Sequence, residues 1–151
     1  MGRISERNPC FRTKDEIVRD IAFVLKAPLT YGTREVVIQN AFWAWTEFAG
    51  KYKGCRFWTK GAIMQYLAAA PTGKHKDLRH EHAVPRRVVS RMLRKLNSPT
   101  LDAVRDICET FLHGVVVMKE EDAVLNSEFR QNMPSEFFDS ASPHYHDCFL
   151  R

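Results

Sequence analysis

The chain has 151 residues, 44% of them hydrophobic and 27% charged, with a net charge of +5 and only seven glycines and seven prolines. This composition is typical of one globular domain and excludes a disordered or collagen-like chain. No run approaches the roughly 18 uninterrupted apolar residues of a membrane helix, and the N-terminus lacks the apolar segment of a secretory signal, so we expect a cytoplasmic protein without membrane contact.

Hydrophobic spacing predicts a helix-rich α+β fold with a small β element. We expect a flexible arm over residues 1–12 and one globular domain over 13–151. Thr13-Lys14-Asp15-Glu16 is a capping-box pattern that begins a helix near 13–26. A second helix is expected from Thr33 to the residues before Gly50. Thr59 is expected to cap a third helix, whose predicted buried face consists of Ile63, Tyr66, Leu67 and Ala70.

The second half of the domain is predicted to contain two strands among three helices. Residues 78–84 are expected to be extended, 86–96 to form a basic helix, and 101–112 a helix capped by Ser98 or Thr100. The β-branched run at 115–118 predicts a buried strand, and 119–125 a helix. These assignments divide the domain into a basic helical part (13–73), a second part (74–128) and an irregular C-terminal segment (129–151).

Charge is distributed unevenly along the chain. Residues 1–96 contain 19 Lys and Arg against 8 Asp and Glu, whereas residues 97–151 contain 4 against 10. A basic surface attracts polyanions, because each phosphate that it neutralises releases counterions. We therefore expect a nucleic-acid partner, with a solvated positive face as the alternative and a protein partner kept open.

The densest group of chemically active residues is Arg79-His80-Glu81-His82-Ala83-Val84-Pro85-Arg86-Arg87. Within it, Glu81-His82-Ala83-Val84-Pro85 resembles the D-H-x-x-P signature of the HNH, or ββα-metal, nucleases. The resemblance extends over at most residues 78–126. It implies that Glu81 is a metal ligand and His82 the general base. It also implies that the helix after the second strand supplies a further ligand, Glu121 or Asp122, of which we predict Asp122.

The resemblance predicts a metal-dependent endonuclease that hydrolyses phosphodiester bonds in DNA or RNA. Carboxylates suit Mg²⁺ or Mn²⁺, and the cation would stabilise the charge that develops on the phosphate. Arg86 and Arg87 would position the backbone. In the structural alternative, His80 and His82 are ordinary strand residues and Glu81 pairs with an arginine. Two non-catalytic functions also stay open: a nucleic-acid- or protein-binding module, such as a small phage or mobile-element regulator, and an inhibitor that presents its acidic C-terminal part as a phosphate mimic.

A second basic segment combines cations with aromatic rings. It runs Lys51-Tyr52-Lys53-Gly54-Cys55-Arg56-Phe57-Trp58-Thr59-Lys60 and contains no acid. Aromatic faces stack on unpaired bases while cations follow phosphates, so this loop is a candidate nucleic-acid contact. The contact residues that we predict here are Lys51, Lys53, Arg56, Trp58 and Lys60. The neighbouring Phe42-Trp43-Ala44-Trp45 is expected to lie in the core.

Cysteine and histidine spacing gives a weaker metal signal. Cys10, Cys55, Cys108 and Cys148 form no C-x-x-C pair, which indicates reduced thiols rather than a zinc ribbon. In an extended segment His144, His146 and Cys148 would share one side, and with His80 or His82 they could form a tetrahedral Zn²⁺ site. The alternative is a C-terminal segment that packs its aromatic residues on the domain.

Overall fold

The structure is a computed structural model that describes residues 12–52, 54–69 and 75–129. Over these residues the chain is α+β and helix-rich, which confirms the predicted class. The helices are α1 (Lys14–Lys26), α2 (Tyr31–Thr46), α3 (Lys60–Ala69), α4 (Arg86–Arg94), α5 (Leu101–Phe111) and α6 (Lys119–Phe129), and the strands are β1 (Phe57–Trp58), β2 (Leu78–His82) and β3 (Gly114–Met118). No helix in the described ranges is long and apolar enough to cross a bilayer.

Helix α1 begins at the predicted capping box. The backbone N–H of Glu16 donates to Thr13 Oγ1 at 3.2 Å, and the Glu16 carboxylate accepts from the Thr13 N–H at 2.7 Å. Two N–H groups that the first turn leaves without partners are thereby satisfied. The predicted flexible arm includes Arg12, but the structure ties this residue down, since its guanidinium donates to Asn40 Oδ1 at 2.8 Å. The rest of the arm, residues 1–11, lies outside the described part of the chain.

Four helices enclose the larger hydrophobic core. Helix α1 packs on α2 and α5, and α4 packs on α2 and α5. Burial of large apolar side chains at this junction is the main stabilising contribution of the helical layer. The core contains Ile17, Val18, Ile21, Ile38, Ala41, Phe42, Trp45, Val84, Val89, Leu93, Val104, Cys108 and Leu112.

A three-stranded sheet forms the second layer, with β3 in its centre. Strand β2 pairs antiparallel to β3, with Glu81 opposite Val115. Strand β1 pairs parallel to β3 on the other side, with Phe57 also opposite Val115. Helices α4 and α5 connect β2 to β3, and α6 follows β3 and contacts both β2 and β3. The sheet therefore places the ends of β1 and β2 and the first turns of α6 around one strand.

Helix α3 exposes to solvent two large apolar residues that the sequence predicts to be buried. Ile63 is 45% exposed and Leu67 66%, whereas Ala62 is completely buried. The reason is close packing on the sheet: a Cβ added at Gly61 would lie 3.2 Å from Met118 Cγ. The small residues allow this approach, and they turn the large apolar side chains away from the sheet. Of the predicted buried face, Ile63 and Leu67 are thus exposed, whereas Tyr66 is half-buried against the sheet. Ala70 lies outside the described residues.

Candidate functional site

Glu81 and Asp122, the two predicted carboxylate ligands, interact with each other in the structure. Glu81 lies near the end of β2, and Asp122 in the first turns of α6, which folds back over β2 and β3. The two carboxyl groups are within hydrogen-bonding reach. Burial, and then the charge of Asp122, raises the pKa of Glu81, while Arg86 acts in the opposite direction. Two carboxylates that the sequence separates widely are therefore brought together.

Glu121, the other acidic candidate, has a structural contact instead. Its Oε2 atom accepts a hydrogen bond from Thr59 Oγ1 at 2.7 Å and another from the Met118 N–H at 2.8 Å. These bonds fasten the end of β3 and the start of α6 to the residue that caps α3. Glu121 is thus committed to the fold, and Asp122 is the residue beside Glu81.

The carboxyl pair lies in a cleft of about 1290 Å³. Val115 and Val117 of β3 line it, together with apolar side chains such as Ile63 and Leu125. Cationic and aromatic side chains complete the lining: Arg56, Arg86, Arg87, Trp43, Phe57 and Trp58. The cleft therefore combines three carboxylates, those of Glu35, Glu81 and Asp122, with three guanidinium groups and several partly exposed rings.

Arg86 interacts both with Glu81 and with an aromatic ring. Its guanidinium carbon lies 4.7 Å from the centroid of the Trp43 ring, a cation–π geometry. Its positive charge favours the ionised form of Glu81 and so partly offsets the increase in the pKa of that residue. Trp43 was expected in the core, and the structure instead places it at the cleft. The signal was in the spacing, because Ile38, Ala41, Phe42 and Trp45 form the buried stripe of α2 and Trp43 lies off it.

His82 also lines the cleft, but its ring is engaged with α2. The ring centroid lies 4.7 Å from that of Trp43, and Nε2 lies 3.4 Å from Thr46 Oγ1. Burial, followed by the charges of Arg86 and His80, lowers the pKa of His82 to about 3. A general base works best with a pKa near the operating pH. His82 is therefore neutral at pH 7 and a weak proton acceptor, which weighs against the predicted role as base.

His80 lies apart from the carboxyl pair. In β2 it points to the face opposite Glu81, with its side chain fully buried and Nδ1 3.3 Å from Glu47 Oε1. The structure thus does not bring this candidate ligand to Glu81 and Asp122, and the physical reason is strand alternation. The other members of the predicted Zn²⁺ site, His144, His146 and Cys148, lie outside the described residues.

The predicted nucleic-acid contacts divide into three groups. Arg56, Arg86, Arg87 and Trp58 line the cleft. Lys51 and Lys60 do not line it, and Lys51 Nζ lies 5.8 Å from the Tyr52 ring instead. Trp58 is half-buried, since its Nε1 donates to the Cys55 carbonyl at 3.1 Å and its ring packs on Tyr66. Lys53 lies outside the described residues.

Across 12–52, 54–69 and 75–129, no cluster of three or more His, Cys, Asp or Glu side chains has a geometry suited to a metal ion. The carboxyl pair is thus a two-residue site in the described part of the chain. Comparison of the chain with family models, curated proteins and solved structures finds no significant match.

Proposed function

We propose that the chain is a metal-dependent nuclease that hydrolyses phosphodiester bonds of DNA or RNA in this cleft. The observation that carries the proposal is the meeting of Glu81 and Asp122 beside Arg86. Carboxylates hold cations and guanidinium groups bind phosphates, so the cleft offers both kinds of contact that a phosphodiester needs.

The carboxyl pair fits a hard divalent cation. Mg²⁺ is commonly bound through one or two protein carboxylates, with waters and substrate phosphates as the other ligands, so a third protein ligand is not required. The raised pKa of Glu81 reflects burial and the adjacent negative charge of Asp122. A cation between the two carboxylates would offset both effects. Oxygen donors favour Mg²⁺ or Mn²⁺ over Zn²⁺, which prefers imidazole and thiolate ligands.

When bound, such a cation would stabilise the negative charge that develops on the phosphate during hydrolysis. The chain itself supplies the positioning groups. Arg86 is oriented by the Trp43 ring, and Arg56 and Arg87 extend the cationic lining. Phe57 and Trp58 offer apolar surface to a base. We do not assign His82 the role of general base, because its pKa of about 3 makes it a weak proton acceptor.

The test is a cleavage assay on single- and double-stranded DNA and RNA with Mg²⁺, Mn²⁺ or Zn²⁺, and with a chelator. We expect cleavage with Mg²⁺ or Mn²⁺, and a loss of about 100-fold or more in Glu81→Gln and in Asp122→Asn. Glu120→Gln is the matched control, because Glu120 is an exposed carboxylate on the same turn of α6. It should cleave like the wild type.

Two results would overturn the proposal. One is a wild-type protein that cleaves none of these substrates with any of the metals. The other is cleavage that survives in both Glu81→Gln and Asp122→Asn, because the activity would then not come from this cleft. If the protein binds nucleic acid without cleaving it, the binding module is the correct function.

A further inference from the structure

A second, smaller cavity lies beside the cleft and has a cationic lining. Its volume is about 250 Å³. Its lining includes Lys14 from the start of α1, Arg56 from the residue before β1, and His113 from the residue before β3. Arg56 also lines the cleft, so one guanidinium borders both spaces.

Two cations of this cavity, Lys14 and Arg56, are close enough to His113 for their charges to act on its imidazole. His113 has its pKa lowered by burial first, and then by the charges of Arg56 and Lys14. The rings nearby orient the cations: Lys14 Nζ lies 4.4 Å from the centre of the Trp45 ring, and the Arg56 guanidinium 5.6 Å from that of Phe57. Like charges gathered at one cavity cost free energy unless an anion compensates them.

The described residues offer little internal compensation. The one carboxylate that lines the cavity, Glu109, pairs with Arg105 at 3.9 Å, and Arg105 is also bonded to Asp15 at 2.8 Å. Within the described part of the chain, neither Lys14 nor Arg56 forms an ion pair. Lys14 and Arg56 therefore line the cavity without an ion-pair partner among the described residues.

We infer that this cavity binds a phosphate group of the same nucleic-acid strand that occupies the cleft. Arg and Lys side chains are the usual partners of phosphate oxygens, and a volume of about 250 Å³ has room for a phosphate and several waters of about 30 Å³ each. The shared Arg56 favours a strand over a free phosphate, because a continuous backbone can contact both spaces. The inference rests on the proposed function, since it extends the substrate path beyond the cleft.

The experiment measures binding of a labelled single-stranded oligonucleotide across a salt series, in the presence of a chelator so that no cleavage occurs. Each phosphate contact contributes about 0.7 to the slope of log affinity against log salt for a single strand. Lys14→Met keeps most of the aliphatic chain and removes the charge, so it should lower this slope by about 0.7. Lys14→Arg should keep the wild-type slope.

Lys26→Met is the matched control, because Lys26 is exposed at the other end of α1 and its loss changes the net charge equally. It should leave the slope unchanged. A slope that Lys14→Met does not alter, or that Lys26→Met lowers by as much, would overturn the inference. Thermal unfolding of each variant separates loss of the site from loss of the fold.

A second measurement distinguishes the two sources of phosphate. Titration of the wild type and Lys14→Met with inorganic phosphate, by calorimetry, tests for a small-anion site. Binding of free phosphate that needs Lys14, combined with an unchanged oligonucleotide slope, would overturn the assignment to a strand. The salt series does not depend on catalysis, so this inference and the nuclease proposal fail on different results.

Discussion

Gly114 lies against the imidazole of His80. A Cβ built on Gly114 would collide with His80 Nε2 and lie 2.9 Å from Cys55 Sγ. Gly114 is the first residue of β3, opposite His82 in the pairing with β2. The absence of a side chain therefore lets the buried histidine and cysteine occupy the space over the central strand.

Gly114→Ala should consequently destabilise the protein. Overpacking of a filled interior costs about 1–3 kcal/mol, because side chains or backbone must shift. Urea unfolding measures the change. Gly32→Ala is the control, since Gly32 lies in α2 with nothing within 4 Å of its added Cβ. Alanine favours a helix over glycine by about 0.5–1 kcal/mol, so this variant should be as stable as the wild type or more stable. Equal effects of the two substitutions would contradict the packing argument.

The thiols of Cys55 and Cys108 should resist alkylation in the folded protein. Burial is the main cause that raises the pKa of Cys55 to about 11 and that of Cys108 to about 12. The thiolate is the reacting form, and with a pKa of about 11 only about one thiol in a thousand is ionised at pH 8. Iodoacetamide at pH 8, followed by peptide mass spectrometry, should label both residues at least about 100-fold more slowly in buffer than in urea. Similar rates in the two solvents would show that these cysteines are accessible.

Features with local causes were predictable from the sequence. The capping box at Thr13 and Glu16 involves neighbouring residues, and α1 begins where it predicts. Helix α2 was expected to start at Thr33 but begins at Tyr31. Its cap is Thr30, whose Oγ1 accepts from the Thr33 N–H at 3.4 Å. Several residues in that segment can cap a helix, and tertiary packing decides between them.

Features that depend on distant partners were not predictable in the same way. Strand β1 has only two residues and exists through its pairing with β3, so the sequence pattern indicated a loop. The exposed face of α3 depends on the close contact between Gly61 and Met118. The meeting of Glu81 and Asp122 was expected from a motif resemblance. The low pKa of His82 comes mainly from burial, to which its contacts with α2 contribute, and the motif does not predict these contacts.

Trp58 should contribute separately to stability and to binding of unpaired bases. Trp58→Ala removes a half-buried ring that packs on Tyr66 and should cost about 2–3 kcal/mol, below the range for fully buried aromatic residues. Trp58→Phe keeps a ring at the cleft and loses the hydrogen bond from Nε1 to the Cys55 carbonyl, at a cost of about 1 kcal/mol.

Binding of Trp58→Phe to single- and double-stranded oligonucleotides, at a temperature where it is folded, tests the second contribution. We expect single-strand affinity close to that of the wild type, because a phenyl ring also stacks on bases. Trp58→Leu, which keeps apolar volume without a stacking face, should lose single-strand affinity by more than it loses duplex affinity. Unchanged single-strand binding in folded Trp58→Leu would assign this residue to the core alone.

Neighbouring carboxylates on α6 should affect stability with opposite signs. Glu121→Ala leaves the Thr59 hydroxyl and the Met118 N–H without their acceptor, which should destabilise the fold by about 1–3 kcal/mol. Asp122→Asn removes a negative charge beside Glu81 and should stabilise the metal-free protein by up to about 1 kcal/mol, since sites arranged for function are often strained. Thermal unfolding in a chelator measures both changes.

The same melts with added Mg²⁺ test the carboxyl pair without reference to cleavage. A ligand that binds the folded state raises its stability in proportion to the logarithm of ligand concentration above the dissociation constant. Wild type and Glu120→Gln should therefore melt at higher temperature as Mg²⁺ increases, whereas Glu81→Gln and Asp122→Asn should respond weakly. Folded Glu81→Gln is the informative case, because it retains Asp122 and loses only one of the two carboxylates. A melting temperature that rises equally in all four proteins would place the cation elsewhere. The two carboxylates would then be only a repulsive pair buried beside Arg86.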